Sequence, residues 1–361
     1  MAKRPRIGIL TAGGDCPGLN AVIRAVAKSA MHEYGMDVIG FEDGYYGLIK
    51  DRWHMLDNPS VSGILTQGGT ILGTSNRDNV FAYYEENTSK PRDLSDAVVN
   101  RCKKMGLTAL VTIGGDGTLT GAYKLAQKGL PVIGVPKTID NDVWVTDQTF
   151  GFDSACSIAT EAIDRLHTTA MSHHRIMIIE LMGRNAGWLT LCSGIAGGGD
   201  VLLIPEIPYR LQSVCDAVIK RSRQGKRFSI ICIAEGAKPV DGDVVVGAME
   251  PTTTHGVRLG GVSQVLRDQI EECTGLEARN TILGHLQRGG SPTFYDRVLA
   301  TQYGKAAADL AARGKINRVV ALRGAKIIDV PLRQAAGKRR TIPLDHMLIA
   351  TARAIGATFG E

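Results

Sequence analysis

Two carboxylates one residue apart, Asp140 and Asp142, close the run Val135-Pro136-Lys137-Thr138-Ile139-Asp140-Asn141-Asp142. An apolar segment at residues 130–135 leads into it. Pro136 favours an extended residue before it, so the spacing predicts a strand that ends in a rigid turn rather than in a helix. Each charge taken out of water costs several kcal/mol unless it is paired. The turn therefore reads either as an exposed acidic loop capping the next helix or as a site where a carboxylate accepts a proton, an effect of roughly 10²–10⁴ in rate. A second strand end of the same kind lies upstream, Gly114-Gly115-Asp116-Gly117-Thr118. Its glycines allow the backbone to approach a phosphate closely, and Asp116 offers hard oxygens to Mg²⁺, largely by way of water. Phosphoryl transfer is mostly positioning and charge neutralisation. Asp140 then suits the general base, with Asp142 orienting the metal or tuning its neighbour. Arg184 and Arg77 suit the charge on the moving group. A second basic set, Arg175, Arg279, His285 and Arg288, suits the phosphate of an acceptor, because arginine pairs with phosphate oxygens through two hydrogen bonds. Each has a plainer reading: a solvated edge charge for Arg175, a structural histidine for His285, a core residue for Met182, a helix cap for Glu235. Their common location at strand ends is what favours a site.

The elements that must position these groups alternate along the chain. Residues 6–10 read as a strand, Gly13 to Gly18 as a glycine turn and residues 19–27 as a helix. That order builds a phosphate site from bare N–H groups and a helix dipole, or equally a plain tight turn. It is neither a dinucleotide fingerprint nor a P-loop. Strands follow at 37–41 and 107–113 and helices at 94–104 and 120–128, with a turn at 43–47. Residues 68–77 form a glycine- and hydroxyl-rich loop ending in Arg77, either a flexible surface loop or one that turns its arginine to a phosphate. The pattern restarts after Gly151: a helix at 155–170, strands at 175–181, 201–204, 228–234 and 279–283, helices at 260–270 and 296–313. Residues 221–227 read as an exposed basic helix end and turn. The alternation predicts α/β, doubly wound parallel sheets in two domains, with ligands at the carboxyl ends of the strands. The tail after Ala325 shows no clear pattern, and Lys338-Arg339-Arg340 reads as a solvated loop.

Composition narrows the class. The 361 residues are 44% hydrophobic, enough for two cores. Net charge is +6 from 42 basic and 36 acidic residues, spread rather than clustered, which suits anionic small molecules and argues against nucleic acid. Seven scattered cysteines predict reduced thiols of a cytoplasmic protein rather than a disulfide frame or a zinc site. The Met1-Ala2-Lys3-Arg4 start leads into a strand without a signal peptide, and no apolar run is long enough to span a membrane.

Taken together the motifs resemble the ATP-dependent 6-phosphofructokinase family, in its mixed-substrate subgroup. Thr11-Ala12-Gly13-Gly14-Asp15-Cys16-Pro17-Gly18-Leu19-Asn20, the Gly114 to Thr118 turn, Pro136 to Asp142, Met182-Gly183-Arg184 and Leu283-Gly284-His285-Leu286-Gln287-Arg288-Gly289-Gly290 match in family order, from about residue 6 to about residue 315. The GGDGT turn alone is shared with NAD and lipid kinases; its combination with PxTIDND and GHxQRGG is specific. The resemblance implies two doubly wound three-layer domains with the active site in the cleft between them. The ATP-binding domain would be 1–151 plus about 287–335, and the sugar-binding domain 152–286 plus about 336–361. It implies ATP and Mg²⁺ near Gly13, Arg77, Gly115, Asp116, Gly117 and Thr118, with Asp116 toward the metal. Asp140 would take the proton from the 1-hydroxyl of fructose 6-phosphate, supported by Thr138 and Asp142, with Arg184 on the transition state. Met182, Gly183, Glu235, His285 and Arg288 would hold the sugar phosphate. Arg175 and Arg279 would reach in from a neighbouring subunit of a homotetramer (or homodimer). Pyrophosphate users typically carry an acidic residue at the Gly117 position and lysine at the Lys137 position. Gly117 with Lys137 is a mixed pattern; glycine leaves room for the α-phosphate of ATP, so ATP is the expected donor and pyrophosphate the alternative. A noncatalytic sugar-phosphate or nucleotide sensor is the reading from another class. At the family's bacterial effector site Arg24 and Lys226 match, while Lys28, Gln224 and Asp200 depart from the pattern.

Overall fold

Short β-branched runs alternating with helices fold into two α/β units, and the chain enters each more than once. The computed structural model describes residues 4–85, 88, 90–250 and 256–361; residues 1–3 of the expected start lie outside them. One unit comprises Met1–Ile139, Val143–Ser154 and Arg288–Arg339; the other comprises Asp140–Asp142, Ala155–Gln287 and Arg340–Glu361.

In chain order the first unit is built from β1 (Arg6–Thr11), α1 (Leu19–Tyr34), β2 (Asp37–Phe41), α2 (Tyr45–Lys50), β3 (Trp53–Leu56), α3 (Ser95–Lys104), β4 (Leu107–Gly114), α4 (Asp116–Gln127) and β5 (Val132–Pro136). The chain then supplies α5 (Phe152–His173), β6 (Ile176–Leu181), α6 (Trp188–Ala196), β7 (Val201–Leu203), α7 (Leu211–Arg223), β8 (Ser229–Ala234), β9 (Val246–Glu250), β10 (Gly256–Leu259), α8 (Val262–Thr274) and β11 (Ala278–Ile282). It returns through α9 (Phe294–Ala312), β12 (Arg318–Arg323) and β13 (Lys326–Pro331), and ends with α10 (Met347–Ala354).

The first unit's sheet has the order β13-β12-β5-β4-β1-β2-β3. Its five inner strands run parallel, and the edge strands β3 and β13 run antiparallel to their neighbours. Strands buried on both faces should read as nearly unbroken apolar runs, and Ile7, Ile9, Leu10, Leu110, Val111, Ile113, Ile133 and Val135 are all fully buried. A Cβ at Gly304 of α9 would lie 2.8 Å from the Val22 carbonyl oxygen of α1, so the missing side chain lets these two helices pack backbone to backbone. The connection after β1 runs to β2 on one side, and the connection after the adjacent β4 runs to β5 on the other. A crevice opens at such a switch point, outside the carboxyl ends of the strands, and the Gly13 and Gly114 turns occupy those ends.

The second unit's sheet, β11-β6-β8-β7, is wholly parallel. One charge is buried in it, Glu180 of β6. Its carboxylate accepts hydrogen bonds from the Gly261 and Ser263 backbone N–H groups (3.0 and 2.9 Å) and the Ser263 hydroxyl (2.8 Å) at the start of α8. An anion there satisfies bare N–H groups and sits at the favourable end of the helix dipole.

Four sequence expectations need correction. Residues 45–50 form a helix where a turn was expected, and α4 starts at Asp116, not at residue 120. The tail after Ala325 is ordered into β13 and α10. Cys215 of α7 and Cys273 of α8 are joined as a disulfide, whereas reduced thiols were expected throughout. Among the described residues, no helix is long and apolar enough to cross a membrane.

Candidate active site

In the first unit three strand ends converge on Gly13. Its N–H donates to the Ser75 carbonyl (3.0 Å) and its own carbonyl accepts from Thr74 Oγ1 (2.6 Å). Ala12 N–H donates to Ile113 O (3.0 Å), and Thr118 Oγ1 to Ala12 O (3.2 Å). Gly13 has φ +83° and Gly18 φ +105°, values a side chain would strain. The 68–77 loop is not a loose surface loop. Thr11 Oγ1 donates to Gly73 O at 2.7 Å, and Asn20 both accepts from Ile71 N–H at 2.8 Å and donates to the carbonyls of Gln67 and Gly68. Exposed Arg77 follows directly, its N–H on Ser75 Oγ at 3.2 Å. Asp116 and Gly117 open α4, so their N–H groups belong to its unsatisfied first turn.

Two cations grip the same loop. Lys137, only 4% exposed, donates from Nζ to Gly14 O. Arg288 donates from Nη1 to Asp15 O at 3.0 Å. A Cβ on Gly14 would come within 2.6 Å of that guanidinium, so this glycine makes room for the arginine. Beside them the buried Cys16 thiol is pushed up to about 12 by burial, against the pull of Lys137, and stays protonated.

The Pro136–Asp142 segment is the rigid turn the sequence predicts, with no helix before Phe152. It is not the exposed acidic loop: Asn141 and Asp142 are buried. Asn141 sits in the left-handed region at φ 51°, a conformation kept only where surroundings fix it. Thr149 Oγ1 donates to Thr138 O at 2.7 Å. In the second unit Arg340 N–H donates to Asp142 O at 2.8 Å and its guanidinium reaches Asn141 O at 3.5 Å. That guanidinium lies over the Trp188 ring at 4.3 Å, and Trp188 Nε1 returns a bond to Arg340 O at 3.0 Å.

Three adjacent strands of the second unit present Met182-Gly183-Arg184, Glu235-Gly236 and Gly284-His285 at their carboxyl ends. These turns are stitched together. Glu235 N–H donates to Leu181 O (2.9 Å), Gly236 N–H to Gly183 O (3.3 Å), and Met182 N–H to the Gln287 side-chain carbonyl (3.3 Å). His285 is exposed in the short 3₁₀ turn Gly284–Arg288. Arg175 and Arg279 do not join this group. They lie toward the amino ends of β6 and β11, Arg175 about 20 Å and Arg279 about 10 Å from the carboxyl ends of their strands. There both meet Glu277, Arg175 Nε at 2.7 Å and Arg279 through Nη2. Of the effector-site positions, Asp200 accepts from Arg221 at 2.8 Å and from Ile230 N–H at 2.9 Å, which commits it to the second unit's own structure.

The basic run at 338–340 is a loop exposed at Lys338 and Arg339, but both of its arginines have partners. Arg340 braces the aspartate turn, and Arg339 Nε meets Asp116 Oδ2 at 3.2 Å. Nothing in the local sequence marks these arginines, because their partners are about two hundred residues away. Gln287 was readable only as part of a motif; buried, it anchors Met182.

The chain is similar to curated proteins named as ATP-dependent 6-phosphofructokinases. It is 51% identical to the ATP-dependent 6-phosphofructokinase 2 of Clostridium perfringens over 100% of both chains. It is 50% identical to the ATP-dependent 6-phosphofructokinase of Spirochaeta thermophila over 99% of both. Among solved structures, Pichia pastoris phosphofructokinase in the T-state aligns with a TM-score of 0.78 at 32% identity, covering 93% of this chain and 36% of that much longer one. The Phosphofructokinase family model matches residues 6–311. With the glycine turns, the buried aspartate turn and the arginine-bearing strand ends in family order, the chain belongs to the phosphofructokinase family.

Proposed function

We propose that this chain is a cytoplasmic glycolytic kinase. It transfers the terminal phosphoryl group of ATP to the 1-hydroxyl of fructose 6-phosphate, giving fructose 1,6-bisphosphate and ADP. The observation that carries this reading is the 50–51% identity, end to end, with proteins named for that activity. The first unit is the ATP side and the second the sugar-phosphate side. Asp140 takes the hydroxyl proton as the oxygen attacks the terminal phosphorus and the bond to the ADP oxygen breaks. Thr138 and Asp142 support that carboxylate, and the Arg340 bonds to Asn141 and Asp142 favour a fixed orientation. Arg184 and Arg77 offset charge on the phosphoryl group in flight. Gly115, Gly117 and Thr118 bring backbone N–H groups to the donor phosphates, while Gly13, whose own N–H is held by Ser75 O, leaves them room for lack of a side chain. Met182, Gly183, Glu235, His285 and Arg288 serve the sugar phosphate. The grip of Arg288 on Asp15 also ties it to the donor loop.

Magnesium fits the residues present. Among the described residues no group of three or more histidine, cysteine, aspartate or glutamate side chains could form a metal cage. Asp116 at the head of α4 supplies one carboxylate, and Mg²⁺ typically uses one or two carboxylates with substrate phosphates and water. Asp116 would hold the ion, whose chemistry is to neutralise the donor phosphates.

Gly117 is exposed and carries no side chain to crowd an α-phosphate, which supports ATP. Lys137 is the one residue that favours pyrophosphate, yet its ammonium is already engaged with Gly14 O. Arg175 and Arg279 lie toward the amino ends of their strands, away from the chain's own site residues, and this supports a role toward a second copy in a homotetramer or homodimer. Retention of Asp116, Asp140 and Arg184 speaks against a noncatalytic sensor. Coupled turnover of fructose 6-phosphate by the purified chain tests the reading. ATP should be used far better than pyrophosphate, and turnover with pyrophosphate alone would overturn the donor assignment.

A further inference from the structure

Both oxygens of Asp116 are held, and both lines of contact lead to one short tail segment. Oδ2 accepts from Arg339 Nε at 3.2 Å. Oδ1 accepts from Thr120 Oγ1 at 3.4 Å, and that hydroxyl accepts from Gly337 N–H at 2.9 Å. The segment is fixed, because Arg339 forms an antiparallel bridge with Val143. All of these residues lie in the first unit. The segment falls beyond residue 311, where the family match stops. An exposed ion pair contributes little stability, and the Arg339 side chain is 41% exposed while that of Asp116 is only 16% exposed. The arrangement therefore does more to set the direction of one carboxylate than to hold the fold.

We propose that Arg339, with Thr120, is a positioning residue for the donor-side metal: it fixes the Asp116 carboxylate in the orientation that accepts a divalent cation. This rests on the reading of Asp116 as the group that holds Mg²⁺. The ion demands near-ideal octahedral geometry, and groups that orient a ligating carboxylate typically cost about 10–100-fold in metal affinity when removed.

The test uses Mn²⁺ as the probe and the full chain with ADP, so that no turnover is involved. Free Mn²⁺ is measured by its electron paramagnetic resonance signal. Arg339→Met should weaken Mn²⁺ binding by about tenfold, Arg339→Lys should recover part of the loss, and Thr120→Val should weaken binding less. Calorimetric binding of fructose 6-phosphate should not change. Asp116→Asn sets the scale. If Asp116→Asn weakens Mn²⁺ binding and Arg339→Met does not, the present proposal fails and the reading of Asp116 stands. If Asp116→Asn also leaves Mn²⁺ binding unchanged, the reading of Asp116 fails and takes the proposal with it. A lower melting temperature for Arg339→Met with Mn²⁺ affinity intact would show an ordinary structural ion pair and overturn the proposal.

Discussion

Replacing Gly236 with alanine adds one methyl group where the β6 and β8 turns meet. That carbon would lie 2.7 Å from the Arg184 carbonyl carbon, 2.9 Å from the Gly183 oxygen, and closer still to the Arg184 oxygen. Carbon atoms rest comfortably at about 3.5–4.0 Å, and these neighbours are backbone, which cannot rotate aside as a side-chain end can. The turn carrying Glu235 must therefore move from the turn carrying Arg184 by about 1 Å. A displacement of that size at a reacting site costs about 10²-fold, or about 2.7 kcal/mol of transition-state stabilisation. The overpacking itself should cost about 1–3 kcal/mol of stability. Initial-rate kinetics with fructose 6-phosphate as the varied substrate, beside thermal melts, separate the two effects. The expected result is a fall of about a hundredfold in kcat/KM for the sugar phosphate, with the KM for ATP little changed and the melt still cooperative. Kinetics within twofold of wild type in a folded protein would refute the claim that these two turns set each other's position.

Other perturbations act elsewhere. Asp296, fully buried and accepting from Ser154 N–H and Oγ at 2.8 and 2.6 Å, is pushed up to about 6 by burial. Because the native state holds this proton more tightly than the unfolded chain, its stabilising contribution is complete below about pH 4 and is lost as pH rises through about 6. Urea unfolding at pH 4 and pH 7.5 should show wild type losing roughly 2 kcal/mol relative to Asp296→Asn over that interval; an equal gap at both pH values would contradict it. Gly117→Asp places a carboxylate in the first turn of α4, where it would repel and crowd an α-phosphate. ATP turnover should fall at least tenfold while the pyrophosphate rate holds or rises, and full ATP activity would remove Gly117 from donor choice.

Much of the fold can be read from periodicity, because strands buried on both faces must be apolar throughout: residues 107–113 and 228–234 announce themselves as β4 and β8. The start of α4 is misread because Asp116, Gly117 and Thr118 look like turn residues, yet they supply the helix's unsatisfied first turn. The tail is misread for another reason. β13 is an edge strand paired on one side with only moderate burial, so its pattern is weak. At the candidate site, the residues at strand ends can be picked out because polar groups abruptly interrupt apolar runs. Arg339 and Arg340 cannot, since an arginine in a basic run looks solvated until its distant partners are known. The grip of Lys137 and Arg288 on two successive carbonyls is equally invisible, as backbone acceptors leave no mark in a sequence.

Asp140 is the residue on which the proposed chemistry turns, and Asp140→Asn changes its basicity with almost no change in shape. The measurement is kcat with ATP and fructose 6-phosphate at saturation, with calorimetric binding of fructose 6-phosphate to the same protein. Loss of about 10²–10⁴ in kcat with sugar-phosphate affinity kept within a few fold is the expected result. A kcat within tenfold of wild type would contradict the assignment of the proton to this carboxylate.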